Sequence, residues 1–204
     1  MTANDCLQMF RQLRDVTFAT VSKSGRPEAR IIDIMLADDE GLYFCTARGK
    51  DFYEQLLRTG EAAVVGLTKN WQMLRLNGTV TKLDDQKYWI DRIFEENPSM
   101  NGVYPGDARY ILEPFAIKHG EIECFDLGTT PIHRESFSLG GGNVTTKGYL
   151  ITDGCIGCGT CADLCPQRAI DEGTPYSIRQ ENCLHCGLCF ENCPVSAIVN
   201  REEC

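Results

Sequence analysis

Eight of the twelve cysteines in this chain fall into two copies of one pattern, Cys155-x2-Cys158-x2-Cys161-x3-Cys165-Pro166 and Cys183-x2-Cys186-x2-Cys189-x3-Cys193-Pro194, each cysteine recurring 28 positions later. Three thiolates at x2 spacing can wrap one face of a cuboidal iron–sulfur cluster from a single tight loop, but the fourth iron needs a thiolate from elsewhere. In runs of this kind the fourth cysteine ligates the opposite cluster. The pattern therefore predicts two [4Fe–4S] clusters, one on Cys155, Cys158, Cys161 and Cys193, the other on Cys183, Cys186, Cys189 and Cys165. Zinc sites usually offer thiolates in separated pairs with tetrahedral closure, which leaves the third x2 cysteine and the Cys-Pro step without a purpose. The chain also lacks the charged, apolar and small-residue regions of a signal peptide, so reduced thiols in a cytoplasmic setting are expected rather than disulfides. Gly154, Gly157, Gly159 and Gly187 would let backbone amides approach the inorganic sulfides.

From residue 148 to 204 the stretch resembles the bacterial two-cluster ferredoxins along its whole length. That leaves about 140 residues before it, enough for a separate domain with its own core. The expected division is a first domain over 1–142, a linker over 143–147 and a ferredoxin domain over 148–204. Gly140-Gly141-Gly142 lacks the strand-to-helix frame and the Lys-Ser/Thr of a phosphate loop and reads as the end of a return segment leading into that linker. No apolar run approaches the roughly 18 residues a membrane span needs. Acidic residues exceed basic ones by 29 to 20. From residue 148 onward eight acids face only Arg168, Arg179 and Arg201. Such a balance argues against nucleic acid as a partner and suits a redox protein with a basic docking surface.

Along the first domain the periodicities predict a helix over 5–14, strands over 16–22 and 28–36 around the turn at Ser24-Gly25, a strand over 42–46, and a helix over 50–58 stopped by Gly60. Strands over 62–67 and 72–81 follow, then a helix from an Asp84 N-cap to Glu96 and strands over 110–118 and 121–126. Short strands at such regular spacing, with two or three helices, suggest a small, mostly antiparallel barrel.

The order Phe18-Ala19-Thr20-Val21, Gly25-Arg26-Pro27-Glu28-Ala29-Arg30, Gly41-Leu42-Tyr43-Phe44-Cys45-Thr46, Lys50-Asp51-Phe52-Tyr53-Glu54-Gln55-Leu56 and Arg75-Leu76-Asn77-Gly78 resembles the pyridoxamine 5′-phosphate oxidase-like FMN-binding split barrels over roughly residues 1–127. The fold expected is then mainly β with α, a split β-barrel followed by a small α+β two-cluster ferredoxin domain. The resemblance implies a homodimer with one FMN per subunit at the interface, hence two FMN and four clusters per dimer, although some split barrels use a deazaflavin instead. It implies that Arg30 and Lys50 hold the phosphate, a two-cation clamp that charge-assisted hydrogen bonding would favour. Ile31, Ile32 and Asp33 would lie along the isoalloxazine edge and Cys45 with Thr46 near the ribityl chain. Trp71, Gln72 and Arg75 would approach from the other subunit.

The chain also departs from the oxidase itself. A second basic residue closes the oxidase's phosphate-binding strand, where this chain has Met35, and the oxidase's C-terminal Arg-rich strand has no counterpart. Oxidation of pyridoxine phosphate is therefore not expected. Cys6 and Cys124 read as small buried hydrophobes, Cys45 as a packing residue, Cys204 as a loose terminal thiol and His185 as a solvent-facing spacer. Together the two halves predict an FMN-dependent oxidoreductase of an anaerobe that passes electrons between the clusters and FMN to reduce a small-molecule acceptor. The competing reading is an electron-transfer module that serves protein partners and has no substrate of its own.

Overall fold

The structure, a computed structural model, describes residues 1–203; Cys204 lies outside them. Two compact units make up the chain, the first comprising Met1–Lys69, Met73–Cys124 and Ser136–Val144, the second Asn70–Gln72, Phe125–Glu135 and Thr145–Cys204. Two short segments of the N-terminal portion thus cluster with the cysteine-rich unit.

The chain opens with α1 (Ala3–Leu13), begun by a capping box in which the Thr2 hydroxyl accepts from the Asp5 amide and the Asp5 carboxylate accepts from Thr2. The helix expected over 5–14 therefore starts earlier, where two orphan amides find partners. A hairpin follows, β1 (Asp15–Val21) and β2 (Pro27–Asp33), in register from Asp15 opposite Asp33 to Val21 opposite Pro27. The strand expected over 28–36 breaks after Asp33. The Ile34 amide turns to the Arg14 carbonyl and the Met35 amide to Tyr43, and the chain resumes as β3 (Leu36–Ala37) against β4 (Leu42–Ala47).

Next come α2 (Asp51–Thr59), closed by Gly60 at φ 65°, β5 (Glu61–Leu67) and β6 (Gln72–Lys82). The helix α3 (Gln86–Glu96) is capped by Asp85, whose carboxylate accepts from the Tyr88 amide, not by Asp84. The two strands expected over 110–126 are one, β7 (Leu112–Asp126), and β8 (His133–Leu139), unforeseen, pairs with it. The eight-stranded sheet runs β2-β1-β5-β6-β7-β4-β3, with β8 on β7. It carries two cores. In one, Phe18, Phe44, Phe52 and Phe115 stack at centroid separations of 4.7–6.0 Å beside Leu7 and Phe10 of α1. In the other, Ile90, Ile93 and Phe94 of α3 cover Met35, Tyr43 and Cys45. The Gly140-Gly141-Gly142 segment is the tight turn after β8: a Cβ at Gly140 would stand 2.0 Å from the Lys118 carbonyl oxygen and one at Gly142 2.3 Å from that of Gly120.

In the second unit β9 (Tyr149–Ile151) pairs with β12 (Ile198–Asn200), and β10 (Ile170–Asp171) with β11 (Ser177–Ile178). Two short helices, α4 (Thr160–Leu164) and α5 (Leu188–Glu191), each start from a left-handed glycine, Gly159 at φ 80° and Gly187 at φ 81°. The sequence repeat is thus a backbone repeat. Arg168 and Ser196, which also match across it, both turn left-handed at 50° and 52°. A mainly β domain with a curled sheet and a small ferredoxin-like domain is the architecture expected. No helix among the described residues is long and apolar enough to cross a membrane.

Candidate functional site

Two cavities in the second unit collect the eight motif cysteines in crossed sets. One is lined by Cys155, Cys158, Cys161 and Cys193 together with Ile156, Tyr176 and Val195. The other is lined by Cys165, Cys183, Cys186 and Cys189 together with Tyr149, Gln167 and Leu184. The crossing follows from topology: the tight loops supply three sulfurs each, while α4 and α5, packed against one another, carry the chain across so that Cys165 and Cys193 arrive at the opposite cavity. Among the described residues no three of these side chains close round a single metal ion. Four thiols spread over an apolar cavity suit a polynuclear cluster better than one ion.

Backbone amides already point at these sulfurs. Ala169 N–H donates to Cys165 Sγ at 3.3 Å and its counterpart Ala197 to Cys193 Sγ at 3.2 Å. His185 N–H donates to Cys183 Sγ at 3.4 Å, from a left-handed backbone at φ 56° that matches Gly157 in the first repeat. His185 is only half exposed, its ring 2.9 Å from where a Cβ on Gly148 would stand, so it is a packed residue, not a solvent-facing spacer.

In the first unit the residues expected at a flavin phosphate gather round the N-terminal half of α2. Arg30 sits mid-strand in β2, opposite Phe18 and therefore on the core face of the hairpin. Its guanidinium lies 4.8 Å from the Phe52 ring centroid and donates to Thr20 Oγ1 at 2.5 Å, Gln55 Oε1 at 2.9 Å and the Glu28 carboxylate at 3.3 Å. Burial lowers its pKa from the usual arginine value, while Glu28 opposes that shift. Lys50 is exposed at the N-cap of α2, where its side chain caps nothing. Thr46 shares a face of β4 with Phe44, whose ring is 6.0 Å from that of Phe52. Its hydroxyl is buried and has no hydrogen-bond partner. Buried hydroxyls are almost always satisfied, so a polar ligand group at this place fits the donor set of Arg30, Thr46 and Lys50. The first turn of α2 carries Asp51 and Glu54, which oppose an anion, so the cationic side chains must outweigh them.

The other expected contacts are placed differently from one another. Along β2, Ile31 is 62 % exposed on the outer face and Ile32 packs toward the first core. Asp33 is salt-bridged to Arg14 at 3.1 Å. Cys45 points away from Thr46 into the α3 core, 8 % exposed, and burial pushes its thiol up to about 12, with Asp33 raising it further and Lys50 opposing. That environment favours the protonated thiol over a thiolate. Trp71 is exposed at φ 65°, Gln72 donates to Asp126 at 3.0 Å, and Arg75 pairs with the buried carboxylate of Glu123. Met35 is buried under α3, and Cys6 and Cys124 are buried in the first core. Thr20, Glu28, Phe52 and Gln55, which hold Arg30, were not anticipated as site residues. The one hint was the three-residue spacing of Phe52 and Gln55, which puts them on one helix face.

A curled β sheet, followed by a unit with two four-cysteine cavities, defines a split barrel joined to a ferredoxin-type domain. Residues 4–102 match the family described as pyridoxamine 5′-phosphate oxidase, and residues 154–197 match the 4Fe–4S dicluster domain. Each match covers only part of the chain. It is similar to a ferredoxin from Butyribacterium methylotrophicum, 63 % identical over 30 residues that cover 15 % of this chain and 54 % of the ferredoxin, so the chain spans about half the length of that relative. Its fold is similar to that of a NimC/NimA family protein from Clostridium acetobutylicum, with a TM-score of 0.56 at 19 % identity over 66 % of this chain and 90 % of the other. A protein of the pyridoxine phosphate oxidase family from the same organism, related to general stress protein 26, gives 0.53 at 14 % identity over 66 % and 95 %.

Proposed function

We propose that the chain is an iron–sulfur flavoprotein oxidoreductase in which two [4Fe–4S] clusters exchange electrons with FMN, and FMN reduces a small electrophile. The observation that supports this most is the sorting of eight cysteines into two cavities of four, together with a first unit that keeps a buried unpartnered hydroxyl at Thr46, Lys50 at the start of α2 and Arg30 against Phe52 and Gln55 of that helix. With both kinds of group bound, two one-electron centres can fill one two-electron flavin, which can deliver a hydride equivalent. The residues' part is binding and shielding. Cys155, Cys158, Cys161 and Cys193 hold one cluster and Cys183, Cys186, Cys189 and Cys165 the other, with amides of Ala169, Ala197 and His185 directed at ligand sulfurs.

Arg30 and Lys50 neutralise the flavin phosphate and the Thr46 hydroxyl serves the ribityl chain, while the β2 backbone from Ile31 to Asp33 lines the ring. Cys45 supports that site only by packing. In a homodimer Trp71, Gln72 and Arg75 serve the flavin of the second copy. The acidic ferredoxin domain receives electrons from a protein donor with a basic surface, and the setting is a cytoplasm poor in oxygen. The loss of a basic residue at Met35 argues against pyridoxine phosphate as substrate. Anaerobic purification with iron, labile sulfide and released-flavin analysis tests the composition: about eight iron, eight sulfide and one FMN per chain are expected. Stoichiometric zinc without sulfide, or no flavin, would overturn it.

A further inference from the structure

The two cysteine cavities repeat in backbone but differ in what covers them. The segment Phe125–Glu135, which clusters with the second unit, lies against the second cavity through Ile132, itself only 6 % exposed. The Asn182 side-chain amide donates to the Ile132 carbonyl at 2.9 Å, next to Cys183, and the Ile132 N–H donates to Gln167 Oε1 at 3.5 Å, beside Cys165-Pro166. The matching residues of the first cavity, Gly154 and Val195, have no side chain able to make either bond, and both are exposed. Ile156, which lines the first cavity between Cys155 and Cys158, is 62 % exposed and Val195 43 %, whereas their counterparts Leu184 and Gln167 are half-buried. Each cavity keeps one exposed cysteine, Cys158 in the first and Cys186 in the second, so the difference lies in the apolar lining that reaches solvent at the first.

Charge follows the same division. The exposed carboxylates Asp153 and Glu172 flank the first cavity, Asp153 two residues before Cys155 and Glu172 beside the Gly173-Thr174 turn that packs on Gly157, where a Cβ would stand 2.9 Å from Thr174 Oγ1. No Lys or Arg occurs from residue 148 to 167 or from 180 to 200, the stretches that build this cavity apart from Tyr176. Beside the second cavity the exposed Glu181 is joined by the exposed Arg168, next to Gln167.

We propose that the surface over the first cavity, with Ile156 and Val195 at its centre and Asp153 and Glu172 on its rim, is where a protein electron donor docks: a one-electron carrier whose redox centre emerges at an apolar patch ringed by lysine or arginine. This rests on the cluster reading above and adds the port of entry. Electron exchange between proteins needs the two centres close together, so the donor sits where least protein covers a cluster. Apolar side chains at the centre shed water on contact, and the rim charges steer the approach. One electron passes per encounter: the donor's centre loses it, the cluster on Cys155, Cys158, Cys161 and Cys193 gains it, and no bond is made or broken. The second cluster, with Ile132 fastened across its flank, receives its electron from the first.

The test uses cytochrome c, a lysine-ringed one-electron carrier, as the probe, since a docking contact conducts in either direction. Iron and sulfide are counted in every sample of the full-length protein. Calorimetry at low ionic strength gives the affinity of oxidised protein for oxidised cytochrome c, a mixture in which no electron moves. Anaerobic stopped-flow absorbance gives the rate at which protein reduced with stoichiometric dithionite passes electrons to cytochrome c. The double variant Asp153→Lys/Glu172→Lys should lower both affinity and rate by roughly tenfold, and the difference should fade at high salt. Glu181→Lys/Glu191→Lys changes the net charge equally but beside the second cavity, and should lower them much less. Val195→Lys, at the apolar centre, should weaken binding as well; if it loses iron, the two rim variants decide. Full clusters with affinity and rate unchanged in the first double variant, or with an equal or larger fall in the second, would overturn the proposal. Absence of the clusters from the wild-type protein would overturn the underlying reading instead.

Discussion

The Arg30 guanidinium lies over the Phe52 ring at 4.8 Å while its Nη1 and Nη2 atoms are bonded to Thr20, Glu28 and Gln55. A cation so framed is pre-oriented, and it also satisfies a buried neighbourhood. Arg30→Ala should therefore do two things. It should weaken FMN binding by roughly ten- to a hundredfold, the worth of one charge-assisted contact of about 1.5–3 kcal/mol. It should also destabilise the flavin-free protein by about 1–3 kcal/mol, because Gln55 and Thr20 lose a partner. Lys50→Ala, at an exposed N-cap, should weaken FMN binding with stability nearly unchanged. Flavin titration and urea denaturation of each variant separate the two effects; unaltered affinity in both variants would remove these residues from the site.

Thr46 gives a prediction of opposite signs. Its buried hydroxyl lacks a partner, so Thr46→Val should leave the flavin-free protein as stable or raise its stability by up to about 1–3 kcal/mol. The same change should weaken FMN binding. Equal losses of stability with and without flavin would show that the hydroxyl serves the fold alone.

These two side chains also show where the sequence stops being legible. The cysteine loops declare themselves because ligand spacing is local, and the crossing of Cys165 and Cys193 follows from the motif. The residues proposed for the flavin come from β2, β4 and the start of α2, and only family order picks out Arg30, Thr46 and Lys50; strand alternation puts Cys45 and Thr46 on opposite faces, but nothing local says which of them faces α3 or marks Gln55 as the partner of Arg30. The strand β8 was missed because His133-Arg134-Glu135-Ser136-Phe137-Ser138-Leu139 is mostly half-buried, paired on β7, and so shows no apolar alternation. The bonds that Gln167 and Asn182 make to the Ile132 backbone are equally illegible, since both are ordinary polar residues whose meaning lies in what folds against them.

Cys45 links the fold to pH. Its thiol is pushed from 9.0 to about 12 by burial, so the folded protein holds that proton longer than the unfolded chain. The associated stability is complete below pH 9 and is lost progressively as pH rises from about 9 toward about 12. Unfolding free energy should fall over that window, and Cys45→Ala should flatten the fall. In the native protein at neutral pH, mass spectrometry after iodoacetamide treatment should find Cys45 unmodified; rapid alkylation there would contradict the buried, protonated thiol.

The crossed cavities predict which cluster each cysteine serves. Cys165→Ser should damage the cluster on Cys183, Cys186 and Cys189, and Cys193→Ser the cluster on Cys155, Cys158 and Cys161. Iron analysis with electron paramagnetic resonance on each variant reads this directly. A Cys165→Ser protein whose altered signal belongs to the Cys155 set would reverse the pairing.

The central claim is that electrons reach the flavin through the clusters. Anaerobic stopped-flow absorbance at the flavin band, with a reduced ferredoxin as donor, compares the wild-type protein with the double variant Cys158→Ser/Cys186→Ser. Rapid flavin reduction in the wild type, lost in the double variant while FMN stays bound, and only slow reduction by NADH in either protein, is the result expected. Equally fast reduction of the flavin in both proteins would contradict the wiring described here.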